Sequence, residues 1–212
     1  MIQKTERTIN WSIYFIGFVI SALIFGIGFW FGSQIETGVA EQLKRTIDIT
    51  RGGVVSVETM LILENDSSFC EFFMDEMAKS DSETYELGKK IGYMEERKGV
   101  DPQLKADYMT LEFRDYLLSK RIDAKCNGNS TLVLYFLSSS SCPDCKSQGL
   151  ELTKVRDQIP LRVYSFDMDI NNSLVNSLSK SYEIERYPTL IINDKKYVGY
   201  LSSQDILKAI NQ

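Results

Sequence analysis

The chain has 212 residues, of which 43% are hydrophobic, and it carries a formal net charge of −5. This length is enough for the core of one ordinary domain and for additional helices. The acidic balance and the absence of basic clusters argue against nucleic acid as a partner. The chain has no histidine, which excludes histidine-based catalysis, and it has no glycine-rich phosphate loop.

The first predicted element is an uncharged, apolar run from Trp11 to Phe31. As a helix it would span roughly 30 Å, the thickness of the hydrocarbon core of a bilayer. Aromatic residues stand at both ends, as in the interfacial belts of membrane helices. A cleaved signal peptide is the alternative, but its apolar region is usually shorter, and no good cleavage site follows at once. We therefore expect a membrane anchor over residues 11–32.

The charges that flank this run predict its orientation. Lys4 and Arg7 precede it, whereas the first basic residues after it are Lys44 and Arg45, which follow acidic residues. The positive-inside rule then predicts a cytoplasmic tail of residues 1–10 and an extracytoplasmic location for the rest of the chain. Four cysteines, an even number, suit a compartment in which disulfides persist.

Residues 33–125 are predicted to form an all-helical subdomain, because apolar residues recur there at helical spacing. A capping box over residues 68–71 predicts one helix start, and Asp101-Pro102 predicts another. The Arg-Gly-Gly of residues 51–53 is expected to break an earlier helix, and Lys98-Gly99 to end a later one. The region resembles no family, so its role stays open.

Two of the four cysteines are Cys70 and Cys126. Cys126 precedes a turn-like stretch that leads into the first predicted strand, and Cys70 lies within the helices. A Cys70–Cys126 disulfide would tie the helices to this junction and stabilise the fold through the unfolded state. The alternatives are a second redox pair that relays electrons and two buried free thiols.

The most informative motif is Cys142-Pro143-Asp144-Cys145, which lies between a strand-like run and a helix-like run. With Cys142 as the N-cap and Pro143 at the first helical position, the free N–H groups and the helix dipole would favour the Cys142 thiolate. Cys145, three residues on, could resolve a mixed disulfide formed on Cys142. The alternatives are a static local disulfide and half of a zinc site, but the chain has neither a second C-x-x-C motif nor a histidine to complete such a site. We expect neither a metal nor a bound cofactor.

The segments after this motif predict a mixed α/β domain over residues 126–212. The predicted order is βαβαββα, with the first two strands parallel and the last two in a hairpin. The predicted strands and helices, in chain order, are 132–137, 147–158, 161–166, 173–182, 189–193, 197–199 and 203–210.

With these features in order, residues 131–212 resemble the thioredoxin superfamily. Residues 182–190, Tyr-Glu-Ile-Glu-Arg-Tyr-Pro-Thr-Leu, are similar to the segment around the family's cis proline, and residues 198–201 are similar to its glycine-containing last strand. The resemblance implies that Tyr187–Pro188 is a cis peptide that faces Cys142 and that its backbone binds an extended substrate. Tyr187 and Ser141 would line the approach.

The sequence departs from thioredoxin itself near the motif. Ser141 replaces the tryptophan before the first cysteine, and Phe136 stands where thioredoxin has a buried acid six residues before that cysteine. Pro143 and Asp144 would tune the pair, because the Asp144 charge disfavours a thiolate on Cys142. Asp144 can equally be an ordinary acidic residue at a helix start.

Together these features predict a membrane-anchored, extracytoplasmic thiol–disulfide oxidoreductase that uses Cys142 and Cys145. Its expected partners are cysteine-containing proteins and a membrane redox protein that resets the pair. The competing interpretation is an anchored binding or chaperone-like module in which the fold is a scaffold and the disulfide is static, because fold alone does not establish activity. The direction of electron flow stays open.

Overall fold

The computed structural model describes residues 11–63, 69–126, 128 and 130–212. The predicted tail of residues 1–10 lies outside this set, as does the start of the capping box over residues 68–71. The chain divides into two compact units, Met1–Arg45 and Thr46–Gln212. The sites discussed below belong to the second unit.

The N-terminal part of the chain is a single helix, α1, over Trp11–Leu63. The break predicted at residues 51–53 is wrong, because a glycine inside a helix costs only about 1 kcal/mol relative to alanine and keeps its backbone hydrogen bonds. Among the described residues, no helix has the length and apolarity needed to cross a membrane. The structure therefore does not support the membrane anchor predicted over residues 11–32. Within this range, the side chains of Ile13 and Phe31 are outside the part of the chain that the structure describes.

Two further helices, α2 over Phe69–Lys98 and α3 over Pro102–Cys126, complete the helical region. Gly99 ends α2 with a φ of 80°, a left-handed conformation that suits glycine. Asp101 caps α3, since its side chain accepts a hydrogen bond of 3.0 Å from the backbone N–H of Gln103. Both boundaries agree with the sequence prediction.

The C-terminal region has the predicted βαβαββα order. The elements are β1 Thr131–Leu137, α4 Cys145–Arg156, β2 Leu161–Asp167, α5 Ser173–Ser181, β3 Thr189–Ile192, β4 Lys195–Val198 and α6 Ser203–Ile210. The sheet order is β2-β1-β3-β4, with β1 parallel to β2 and antiparallel to β3, and with β3 and β4 in a hairpin.

Alternate residues of β1 face the two sides of this sheet. Val133 and Tyr135 pack in a core with side chains of α4 and α6. Leu134 and Phe136 pack in the opposite core, to which α3 contributes Met109 and α5 contributes Val175. Helix α3 is therefore part of the core of the α/β domain.

Helix α3 also supplies polar groups to β2, the edge strand of the sheet. The Glu112 carboxylate accepts a hydrogen bond from the backbone N–H of Ser165, and Asp115 accepts one of 3.0 Å from the Tyr164 hydroxyl. An exposed edge strand offers unpaired backbone groups to other chains. Here α3 satisfies one of these groups and covers part of the edge.

Candidate active site

The cysteine pair lies in the turn between β1 and α4 and forms a disulfide. Helix α4 begins at Cys145 with Asp144 as its N-cap, so it begins later than the prediction that made Cys142 the N-cap and Pro143 the first helical residue. The backbone N–H of Cys145 donates instead to the Cys142 carbonyl, at 3.3 Å, and this closes a turn. Cys142 thus lies just before the helix start, where the dipole still favours an anion.

The two sulfur-bearing residues differ in their access to solvent. Cys142 is half-buried, whereas Cys145 is only 6% exposed and belongs to the core between the sheet, α4 and α6. Pro143, Asp144 and Ser141 around them are exposed. An incoming thiolate can therefore approach Cys142 far more easily than Cys145.

Serines 138–141 form the turn that leads into the pair, and Asp169 holds this turn in place. Asp169 accepts hydrogen bonds from the backbone N–H of Ser140, at 2.7 Å, and from the Ser138 hydroxyl, at 2.8 Å. The Ser138 oxygen in turn accepts from the backbone N–H of Ser141, at 3.0 Å. Although burial raises the pKa of Asp169, these hydrogen bonds outweigh it and hold the pKa below its ordinary value.

Asp167, at the end of β2, links the same turn to the helical region. It accepts hydrogen bonds from the Ser139 hydroxyl at 2.5 Å and pairs with Lys105 of α3. Lys105 also pairs with Glu95 of α2 at 2.6 Å. Burial lowers the pKa of Lys105, but the two carboxylates outweigh this effect and raise it. Sequence patterns do not reveal this network, because Lys105 is 62 residues from Asp167.

Tyr135 is the β1 side chain directed towards the cysteine pair. Its hydroxyl donates a hydrogen bond of 2.6 Å to the Cys145 carbonyl. Burial and the Asp167 charge raise the pKa of Tyr135 above its ordinary value. Phe136, which the sequence comparison placed in the position of the buried acid, faces the opposite core instead. The alternation of β1 and the position of α4 could have identified Tyr135.

The Tyr187–Pro188 bond is cis, as the resemblance implies. Thr189, the next residue, pairs with Phe136 near the end of β1, so Pro188 lies at the end of the sheet from which the cysteine turn emerges. The Pro188 carbonyl accepts from the backbone N–H of Gly199 at 2.8 Å. Burial, then the charges of Asp169 and Asp167, raise the pKa of the half-buried Tyr187. The exposed Asp169 therefore places a negative charge near this side of the site.

Cys70 and Cys126 form the second disulfide, at a sequence separation of 56. Cys126 ends α3 and lies just before β1, whereas Cys142 follows the opposite end of β1. The seven residues of β1 separate these ends by roughly 20 Å. Thiols at this separation cannot exchange directly within one chain. The arrangement favours the structural interpretation of Cys70–Cys126 over a relay.

No family model matches the chain, and no curated protein matches it. Within the part of the chain that the structure describes, no cluster of three or more acidic or cysteine side chains could hold a metal ion.

Two solved thioredoxin structures are similar to the C-terminal region. Thioredoxin-2, described as a component of malaria parasite protein secretion machinery, is 28% identical over 39% of this chain and 82% of its own, with a TM-score of 0.33. Chloroplastic thioredoxin z, described with a type-specific target recognition, is 23% identical over 44% of this chain and 87% of its own, with a TM-score of 0.35. By its strand order, its cysteine pair and its cis proline, the C-terminal region of this chain is a thioredoxin-like domain.

Proposed function

We propose that this protein exchanges disulfides with cysteine-containing proteins through Cys142 and Cys145. The observation that carries this proposal is the asymmetry of the pair, with a half-buried Cys142 before a helix start and a buried Cys145 inside it. A purely structural disulfide has no need for one accessible sulfur. A cis proline at the same end of the sheet supports the proposal further.

The exchange proceeds in two balanced steps. A substrate thiolate attacks the Cys142 sulfur, forms a mixed disulfide and releases Cys145 as a thiolate, which takes up a proton. A second substrate thiolate then attacks the substrate sulfur of the mixed disulfide and releases Cys142 as a thiolate. The substrate is oxidised to a disulfide, and the pair is reduced by two electrons. The reverse sequence reduces a substrate disulfide, with Cys142 as nucleophile and Cys145 as the resolving thiol.

The substrate segment would lie beside Pro188. The half-buried Tyr187 and the exposed Ser141 leave room at this surface, next to the accessible sulfur. Backbone pairing to an extended segment gives affinity without a strict sequence requirement. The exposed carboxylate of Asp169 would favour substrates with basic residues near the cysteine, because opposite charges attract across an interface.

A location outside the cytoplasm, with a membrane redox protein as the partner that resets the pair, stays a prediction from the sequence. Such a compartment suits the two disulfides, because cytosolic thiols are kept reduced. Alkylation of thiols in intact cells tests the location, and identification of the proteins that form mixed disulfides with Cys145→Ser tests the partner. Cysteines 70 and 126 that react in untreated cells would contradict the proposed location.

The activity is tested with two serine variants. Cys142→Ser should abolish exchange, because no accessible sulfur is left to attack. Cys145→Ser should instead accumulate mixed disulfides, because the resolving thiol is missing. Full turnover by the Cys142 variant would exclude the proposed mechanism.

A further inference from the structure

A cavity of about 400 Å³ lies beside the edge strand β2, between α2, α3 and α4. This volume is within the range of about 300–1,000 Å³ that is common for small-molecule sites. Part of its wall is apolar, with Met109, Leu137, Leu152 and Val163, and part is aromatic. Tyr135 and Asp167, which contact the segment around the cysteine pair, also line the cavity, but Cys142 itself does not.

Two buried carboxyl groups on one side of α3, Glu112 and Asp115, line this cavity. They are 3% and 1% exposed, and neither forms an ion pair with a residue that the structure describes. The donors to them are neutral: the Tyr108 hydroxyl and the Ser165 N–H for Glu112, and the Ser80 and Tyr164 hydroxyls for Asp115.

The other carboxylates of the cavity wall already have cations. Asp81 pairs with Arg156 at 2.5 Å, and Glu95 and Asp167 both pair with Lys105. Among the carboxyl groups of the wall, Glu112 and Asp115 are therefore the two that form no ion pair with a described residue, although the charge of Arg162 acts on Asp115.

The protonation of these two groups reflects the missing counterion. Burial raises the pKa of Glu112 to about 8, although the hydrogen bonds from Tyr108 and Ser165 lower it. Burial also raises the pKa of Asp115. A buried carboxylate without a cation is costly, so the group keeps its proton instead. A cation inside the cavity would allow both groups to ionise.

Thr84 of α2 provides an independent observation at the same cavity. It lines the cavity and is 5% exposed, and its Oγ1 is buried without a hydrogen-bond partner among the described residues. It lies close to Glu112, because the Tyr108 hydroxyl that donates to Glu112 is also 3.5 Å from the Thr84 carbonyl. Buried polar groups normally have partners, so this hydroxyl indicates a partner that enters from the cavity.

We propose that this cavity binds a small organic cation, an ammonium group attached to an apolar or aromatic body. A primary ammonium has three donors, which match the acceptors offered by Glu112, Asp115 and Thr84. The apolar body would lie against the aliphatic part of the wall. A bare metal ion fits less well, since the described acidic side chains form no metal-binding cluster.

The test compares two probes that differ in charge alone. Phenethylamine and phenethyl alcohol have nearly the same shape, and calorimetric titration of the oxidised full chain measures the affinity of each. The amine should bind about tenfold more tightly or better, because charge-assisted hydrogen bonds are roughly twice as strong as neutral ones. This binding requires no turnover at Cys142, so it can succeed or fail independently of the proposed exchange.

Variants then locate the site. Glu112→Gln resembles the protonated group and should remove most of the preference for the amine, while Thr84→Val should weaken both probes. Glu83→Gln on the exposed surface of α2 is the matched control and should change nothing, because Glu83 does not line the cavity. Equal affinity for the two probes, no binding of either, or an unchanged preference in Glu112→Gln would each overturn the proposal.

Discussion

Removal of the Cys70–Cys126 disulfide should destabilise the protein strongly without stopping exchange at Cys142. The bridge closes a loop with a sequence separation of 56, for which the loss of unfolded-chain entropy predicts a stabilisation of about 4 kcal/mol. Cys142–Cys145 has a separation of only 3, and the same relation gives about 1.6 kcal/mol. The two pairs therefore provide a matched comparison within one chain.

The assay is denaturant unfolding of Cys70→Ala/Cys126→Ala and of Cys142→Ala/Cys145→Ala, with exchange rates measured under conditions in which each variant is folded. The first variant should lose about 4 kcal/mol and keep its exchange rate. The second should lose less than half as much stability and all of its exchange. If the first variant loses less than about 1 kcal/mol, or if it is stable but inactive, the structural interpretation is wrong and a relay gains support.

Three further outcomes follow from buried groups. Tyr135→Phe should cost about 1 kcal/mol in denaturant unfolding, because it removes the buried hydrogen bond from the Tyr135 hydroxyl to the Cys145 carbonyl; an unchanged midpoint would contradict this. Lys105→Met should lower the free energy of unfolding by about 3–5 kcal/mol and slow exchange, because it leaves the Asp167 charge buried without a cation. The double variant Lys105→Met/Asp167→Asn should recover part of this stability, and no recovery would count against the ion pair. The raised pKa of Glu112 means that the folded state keeps a proton that the unfolded chain releases. The stability that this group contributes is therefore complete below about pH 4.5 and is lost as the pH rises to about 8. The free energy of unfolding of Glu112→Gln should decrease less over this pH range than that of the unmodified protein, and an identical decrease would contradict the assignment.

Much of the C-terminal fold was predictable because its signals are local. Buried strands, helix caps and turn residues each leave a pattern within a few positions, and β1, α4 and α6 lie close to the predicted ranges. The turn between β3 and β4 is an example. Asn193 and Asp194 have φ values of 51° and 59°, and these two residue types tolerate such conformations.

The polar network around the site was not predictable, because it joins residues that are far apart in sequence. Glu112 reaches Ser165 from 53 residues away, and no local pattern indicates which acidic residue of a helix will be buried. The prediction of a helix break at residues 51–53 was wrong for another reason. Glycine lowers helix propensity by a small amount, and the rest of a long helix easily outweighs it.

The reduction potential of the Cys142–Cys145 pair tests the central claim most directly. Equilibration of the full chain with glutathione buffers, followed by alkylation of the free thiols, measures it. A potential between about −270 and −120 mV, the range of exchange proteins, is the expected result. A potential well below about −300 mV would instead indicate a static bond and would contradict the proposed exchange.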